Sequence, residues 1–83
     1  MKNIHYNIIF RAEPEGGFTV FVPALPGCIT YGKTLAQARK MAKEAIELYL
    51  EDIIASGDTV PENNDAYVST IAITVPSKNL VYA

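Results

Sequence analysis

The sequence predicts an α+β domain of order β-β-β-α-β, an antiparallel sheet with one long helix packed on one face. Three observations carry this. Two runs that alternate polar and apolar residues lie near the N-terminus and are joined by a glycine-rich stretch. From Leu35 onward apolar residues recur at steps of three and four for about six turns. The segment Ala66 to Val75 then returns to a period of two. A chain of 83 residues holds one small domain, so residues 1–83 are read as a single unit, and one helix has to cover most of its core.

The first strand is expected over Ile4 to Arg11, with Ile4, Tyr6, Ile8 and Phe10 on a strongly apolar face. "AEPEGG" supplies a proline, two acids and two glycines, so it reads as the loop of a hairpin. The second strand follows as "FTVFV", with Phe18, Val20 and Val22 on one face and Thr19 and Phe21 on the other. Pro23 and Pro26 remove two backbone donors and interrupt the pairing. In Leu25-Pro26-Gly27-Cys28 proline stands where a type II turn fixes φ and glycine where the turn needs a positive one. "CITYG" resumes as a short strand closed by Gly32.

The helix is expected from Leu35 to Ser56, with Leu35, Ala38, Ala42, Ala45, Ile46, Tyr49 and Ile53 as its apolar stripe. Thr34 and Gln37 have capping-box spacing at its start, Gly57 suits the left-handed cap at its end, and Pro61 prevents resumption. Its charges run against the macrodipole. Lys33, Arg39, Lys40 and Lys43 sit near the beginning, and Glu44, Glu47, Glu51 and Asp52 sit toward the end. Lys40 with Glu44 and Lys43 with Glu47 can pair at i,i+4. This pattern is either a solvated face or a polarised docking face. A fourth strand is expected over Ala66 to Val75, with Tyr67, Ile71, Ile73 and Val75 on one side, ended by Pro76.

Composition excludes several classes of function. No segment reaches the length of a membrane span, and "MKNIHYNIIF" lacks the continuous apolar run of a signal peptide. A single cysteine agrees with a reducing compartment, so a cytoplasmic location is expected. Seven basic against nine acidic residues give a formal charge of -2, which argues against direct nucleic-acid binding and favours a basic partner. Cys28 and His5 are the one conceivable thiol–imidazole pair, but neither lies in a motif that activates a thiol. Scattered acids with one histidine and one cysteine suggest no metal site. Gly16-Gly17 is hairpin punctuation rather than a phosphate loop. Glu44, Glu47 and Glu51 on successive exposed helix turns give no reason for a raised pKa. No catalytic residue, cofactor or metal is therefore expected, and the chain reads as a non-enzyme.

The run "GGFTVFVPALPGCITYGKTLAQARKMAKEAIELYLEDIIASGDTVPE", from Gly16 to Glu62, resembles the HicB family of antitoxin-like proteins. The components come in the family's order: a glycine-ended hairpin, an aromatic strand, "P-x-L-P-G-C", a strand ending "G-K-T", a helix with "A-x-E-L-Y-L", and a "G-D-x-V-P" exit. Ile4 to Arg11 fits the family's opening strand. The resemblance implies a partial ribonuclease H-like arrangement, without nuclease activity because the acidic metal ligands have no counterpart here. It also implies binding and neutralisation of a small HicA-type toxin, an RNA-cleaving protein with a catalytic histidine, by occlusion of the toxin's site. Many family members continue into a helix-turn-helix or ribbon-helix-helix domain. Here "SKNLVYA" offers no such element, so no C-terminal DNA-binding domain is expected. Glu44, Glu47, Glu51 and Asp52 are the candidate contacts for a basic partner, and Pro26, Gly27, Thr34 and Gly57 the structural turn and cap residues. The competing expectation is a homo-oligomeric binding module, without a toxin, that associates through a sheet edge or the helix.

Overall fold

The ladder of the sheet forms where two β-prone runs can face each other across a tight turn. In the computed structural model, which describes residues 3–62, 68–76 and 81, β1 (Ile9–Ala12), β2 (Phe18–Phe21) and β3 (Ile29–Gly32) make a three-stranded sheet of order β1-β2-β3. Both pairings are antiparallel, with Phe10 opposite Val20 and Val20 opposite Thr30. One helix follows, α1 (Leu35–Ala55). The expected α+β class, with an antiparallel sheet and one long helix on it, is what the chain adopts.

The alternation of the strands sorts the side chains. Phe10, Val20 and Thr30 form one cross-strand row on the helix side, and Ala12, Phe18 and Gly32 form the next. The core has two parts. Val20, Ala38 and Ala42 are buried beneath Ile8, Phe10 and Phe18. Val22, Leu25 and Cys28 are buried against Tyr6, Ile8, Ala45, Ile46, Tyr49 and Leu50, so Ile8 joins the two. The stripe expected for the helix holds at Ala38 and Ala42 and, half-buried, at Ala45, Ile46, Tyr49 and Ile53. It fails at Leu35, which is 54% exposed because α1 begins just beyond the end of the sheet.

The turn at Leu25–Cys28 forms as its sequence demands. Cys28 N–H donates to the Leu25 carbonyl at 3.0 Å, and Gly27 takes φ +80° at the position where a type II turn needs it. A second turn closes from Leu25 N–H to the Val22 carbonyl at 3.0 Å, and Val22 N–H reaches the Cys28 carbonyl at 3.2 Å. The loop thus satisfies its own backbone while burying Val22, Leu25 and Cys28. Tyr49 hydroxyl pins it to the helix by donating to the Pro26 carbonyl at 2.8 Å.

Thr34 caps α1, its Oγ1 accepting from Gln37 N–H at 3.1 Å. Gln37 Oε1 reaches back to the N–H of Lys33 at 2.6 Å, one residue short of the strict capping box. At the other end Gly57 N–H donates to Ile54 and Asp58 N–H to Ile53, at 3.0 and 3.1 Å, with Gly57 at φ +77°. That is a Schellman termination one residue earlier than the expected boundary.

Two expectations need correction. The first strand begins at Ile9 rather than Ile4, because β2 ends at Phe21, Val22 spends its N–H on Cys28 and Pro23 has none, so the chain before Ile9 runs past the end of its partner. The inward face is kept all the same, since Tyr6 and Ile8 still pack on the core. The second correction concerns the strand expected over Ala66 to Val75. Its first two residues lie outside the described residues, and 68–75 form no strand and are exposed. The period-two pattern is present, but a strand exists only against a neighbour, and no described edge of the sheet lies beside it.

Gly32 has a steric role. A Cβ there would meet the Ala38 backbone N at 2.2 Å and its Cα at 2.4 Å. Gly32→Ala therefore forces β3 and α1 apart and is expected to cost about 1–3 kcal/mol, read as a lower urea midpoint. Thr34→Ala, which removes one capping bond without touching the core, should cost about 1 kcal/mol. Equal midpoints for Gly32→Ala and the parent protein would contradict the close-approach argument.

Candidate protein-interaction site

Chemistry inside the fold is the first possibility to test. Cys28 is 5% exposed, and burial pushes its thiol pKa up, which keeps the sulfur protonated and non-nucleophilic at neutral pH. His5 is exposed on the segment that leads into β1 and is not part of the cluster that surrounds Cys28. Among the described residues no group of three His, Cys, Asp or Glu side chains could hold a metal ion. No helix among them is long and apolar enough to cross a membrane.

What the fold offers is surface. The charge reversal of α1 is real, with no acid in its first turn and no base in its last. Glu44, Glu47, Glu51 and Asp52 are all exposed. Lys43 Nζ pairs with Glu47 Oε2 at 3.2 Å, with both side chains largely in solvent, so the pair contributes little to stability. Between these acids lies a residue the periodicity did not single out. Leu48 is 60% exposed. Glu44 and Asp52 are its i-4 and i+4 neighbours, Glu51 is its i+3 neighbour, and Glu47 precedes it. Glu44, Glu51 and Asp52 thus flank one large exposed apolar side chain at i-4, i+3 and i+4, while Glu47 lies on the adjoining face that lines a groove beside the N-terminal segment. The signal was in the sequence, because Leu48 falls outside the stripe that ends in Tyr49 and Ile53.

The sheet's outer face is the second surface. Ile9, Phe21 and Ile29 stand in one cross-strand row, with Ile9 47% and Ile29 56% exposed, beside Tyr31. Arg11 lies over the Phe21 ring, its Cζ 5.0 Å from the centroid. Glu13 fastens Arg11 through Nε at 2.9 Å and accepts from Thr19 Oγ1 at 2.6 Å. The Thr19 hydroxyl, and then the Arg11 guanidinium, hold the Glu13 carboxyl below the usual carboxylate range. Tyr31 hydroxyl donates to the Gly16 carbonyl at 3.0 Å across the hairpin. Among the described residues Arg11 lies over this row at Phe21, while Ile9 and Ile29 remain about half exposed.

Of the residues named from sequence, Gly27 and Gly57 have φ +80° and +77°, Thr34 Oγ1 accepts from Gln37 N–H, and the Pro26 carbonyl accepts from the Tyr49 hydroxyl. Glu44, Glu47, Glu51 and Asp52 lie exposed along the middle and second half of α1.

The family described as "HicB_like antitoxin of bacterial toxin-antitoxin system" matches residues 6–78. A UPF0150 protein of Thermoplasma acidophilum is 41% identical over 59 residues, which is 71% of this chain and 86% of that protein. A UPF0150 protein of Synechocystis is 38% identical over 71 residues, covering 86% and 89% of the two chains. The Antitoxin HicB of Escherichia coli K12 is 29% identical over 82 residues, covering 94% of this chain and 59% of its own.

The buried thiol gives a direct check. In the native protein Cys28 should react with an aromatic disulfide reagent only as fast as the domain opens, and the reaction should accelerate across the urea transition. Rapid stoichiometric labelling in buffer would show a thiol accessible for chemistry.

Proposed function

This chain belongs to the HicB-like antitoxin family of bacterial toxin–antitoxin systems, and from that premise we propose that it binds and neutralises a small HicA-type RNA-cleaving toxin by covering the toxin's active site. A protein that cleaves RNA must present cations to the phosphate backbone. An antitoxin that competes for that surface needs acids placed where RNA phosphates would lie. The observation that carries the reading is the exposed acidic stretch of α1, where Glu44, Glu51 and Asp52 flank Leu48, itself 60% exposed, and Glu47 lies on the adjoining face. Exposed acids supply steering and register toward a basic partner, and an apolar side chain among them adds area that such a partner can bury. The role is occupancy and not chemistry, in keeping with a protonated, buried Cys28. The formal charge of -2 supports a protein target over nucleic acid. The compartment proposed is the cytoplasm, where such a toxin meets its RNA.

The alternative is a homo-oligomeric binding module that has no toxin. The exposed row Ile9, Phe21 and Ile29 favours some protein contact on the sheet, which either reading can use.

The test is titration of the cognate toxin's RNA cleavage with the protein. The parent chain should inhibit at a fixed stoichiometry. Glu47→Lys with Glu51→Lys should weaken binding at least tenfold, mostly through slower association at low salt, and Leu48→Ala should act mainly on dissociation. Undiminished inhibition by both variants would place the contact elsewhere. Absence of inhibition by the parent protein would leave the toxin-free module.

A further inference from the structure

β3 ends the sheet on the side away from β1, and among the described residues β2 is its one neighbour. The ladder sets which of its peptide groups point outward. Val22 N–H donates to the Cys28 carbonyl, and the same register continues through Val20 opposite Thr30 to Phe18 opposite Gly32. Hydrogen-bonded pairs alternate along an antiparallel ladder, so Thr30 and Gly32 turn their peptide groups to β2, and Ile29 and Tyr31 turn theirs away from it. An edge of this kind accepts another strand.

The helix forms a wall beside that edge. Ala38 and Ala42 pack on the sheet, and Arg39, Ile46 and Leu50 line the groove on the β1 side. At about 100° per residue, Met41 and Leu48 lie within about 20° of each other and roughly opposite Arg39 and Leu50, which places them on the β3 side of α1. Both are exposed, at 36% and 60%. On the outer face of the sheet, Ile29 is 56% and Tyr31 48% exposed. A strand added to β3 would set alternate side chains against Met41 and Leu48 on one side and Ile29 and Tyr31 on the other. The charge on the wall is one-sided. Glu44, Glu51 and Asp52 flank Leu48, and no lysine or arginine occurs from Glu44 to Ala55. An occupant that complements this edge is an extended segment carrying cations. A basic RNA-cleaving partner supplies these, whereas residues 68–75 of this chain carry no charge at all.

We infer that the toxin adds an extended segment to the outer edge of β3, bonded to the peptide groups of Ile29 and Tyr31, with apolar side chains against Met41 and Leu48 and cations on Glu44, Glu51 and Asp52. The inference rests on the toxin reading and gives that contact its mode. Backbone pairing supplies affinity, and the helix wall supplies register and selectivity.

The test is amide hydrogen exchange, followed residue by residue on the full chain, free and bound to the cognate toxin. In the free protein the Ile29 and Tyr31 amides should exchange at least tenfold faster than that of Thr30, which faces β2. In the complex both should slow at least tenfold. Ile29→Pro removes one outward donor at the first residue of an edge strand and spares the β2 ladder. It should weaken toxin binding at least tenfold with the helical circular dichroism unchanged, and the exchange measurement on the parent chain needs no variant. A toxin complex in which both amides still exchange freely overturns the inference and leaves the toxin reading standing, as does undiminished binding by Ile29→Pro. Amides already protected in the free chain overturn it too, because the edge is then taken by the chain itself or by a second copy. A parent protein that forms no complex removes the toxin reading and this mode with it.

Discussion

The closeness of α1 to β3 is the constraint on which the rest of the domain depends. With one helix to cover the sheet, the inner surface can be dry only if helix and strand meet almost backbone to backbone. Gly32 has no side chain, and Ala38 and Ala42 carry single methyl groups, so contact is made at that distance and all three are buried. Larger residues sit where the layers diverge. Phe10 and Phe18 fill the space toward β1 and β2, and Ile46, Tyr49 and Leu50 fill the space above the 22–28 loop. Small residues at the crossing and large ones away from it give close packing without strain.

The 22–28 loop extends that core where strand pairing stops. Its prolines withdraw two donors from the ladder, and its turns satisfy the N–H groups of the buried Val22, Leu25 and Cys28 locally, so Leu25 can be fully buried on a segment with no strand. Cys28 is part of this packing. The loop and the helix–strand contact thus both draw on the same buried core. The helix then serves on both sides: alanines hold the sheet inside, and Leu48 among its acids faces outward.

The open edge of β1 and the exposed tail express the same economy. Three strands and a helix bury the alanine side of the crossing but leave Ile46 and Leu50 lining a groove. Leu48 does not line that groove, but Glu47 and its partner Lys43 do, so the acidic stretch of α1 adjoins it.

The local devices were legible in the sequence because each depends on near neighbours. Gly27 in its type II turn, Thr34 and Gln37 at the helix start, Gly57 at its end and the alternation of Phe18, Val20 and Phe21 follow from dihedral preference, capping chemistry and side-chain period. The antitoxin family was legible too, from the run Gly16 to Glu62, and the match over residues 6–78 agrees. The tertiary structure decided what depends on distant neighbours. It showed that Gly32 is required by Ala38 and not by a turn, that Leu35 overhangs the sheet, that Leu48 faces solvent, and that Ile4 to Ile8 and 68–75 carry a strand's pattern without a strand's ladder. Period two specifies which side chains share a face, but a hydrogen-bonded ladder needs a second backbone at about 4.8 Å, and only the folded arrangement of the chain determines whether one is there.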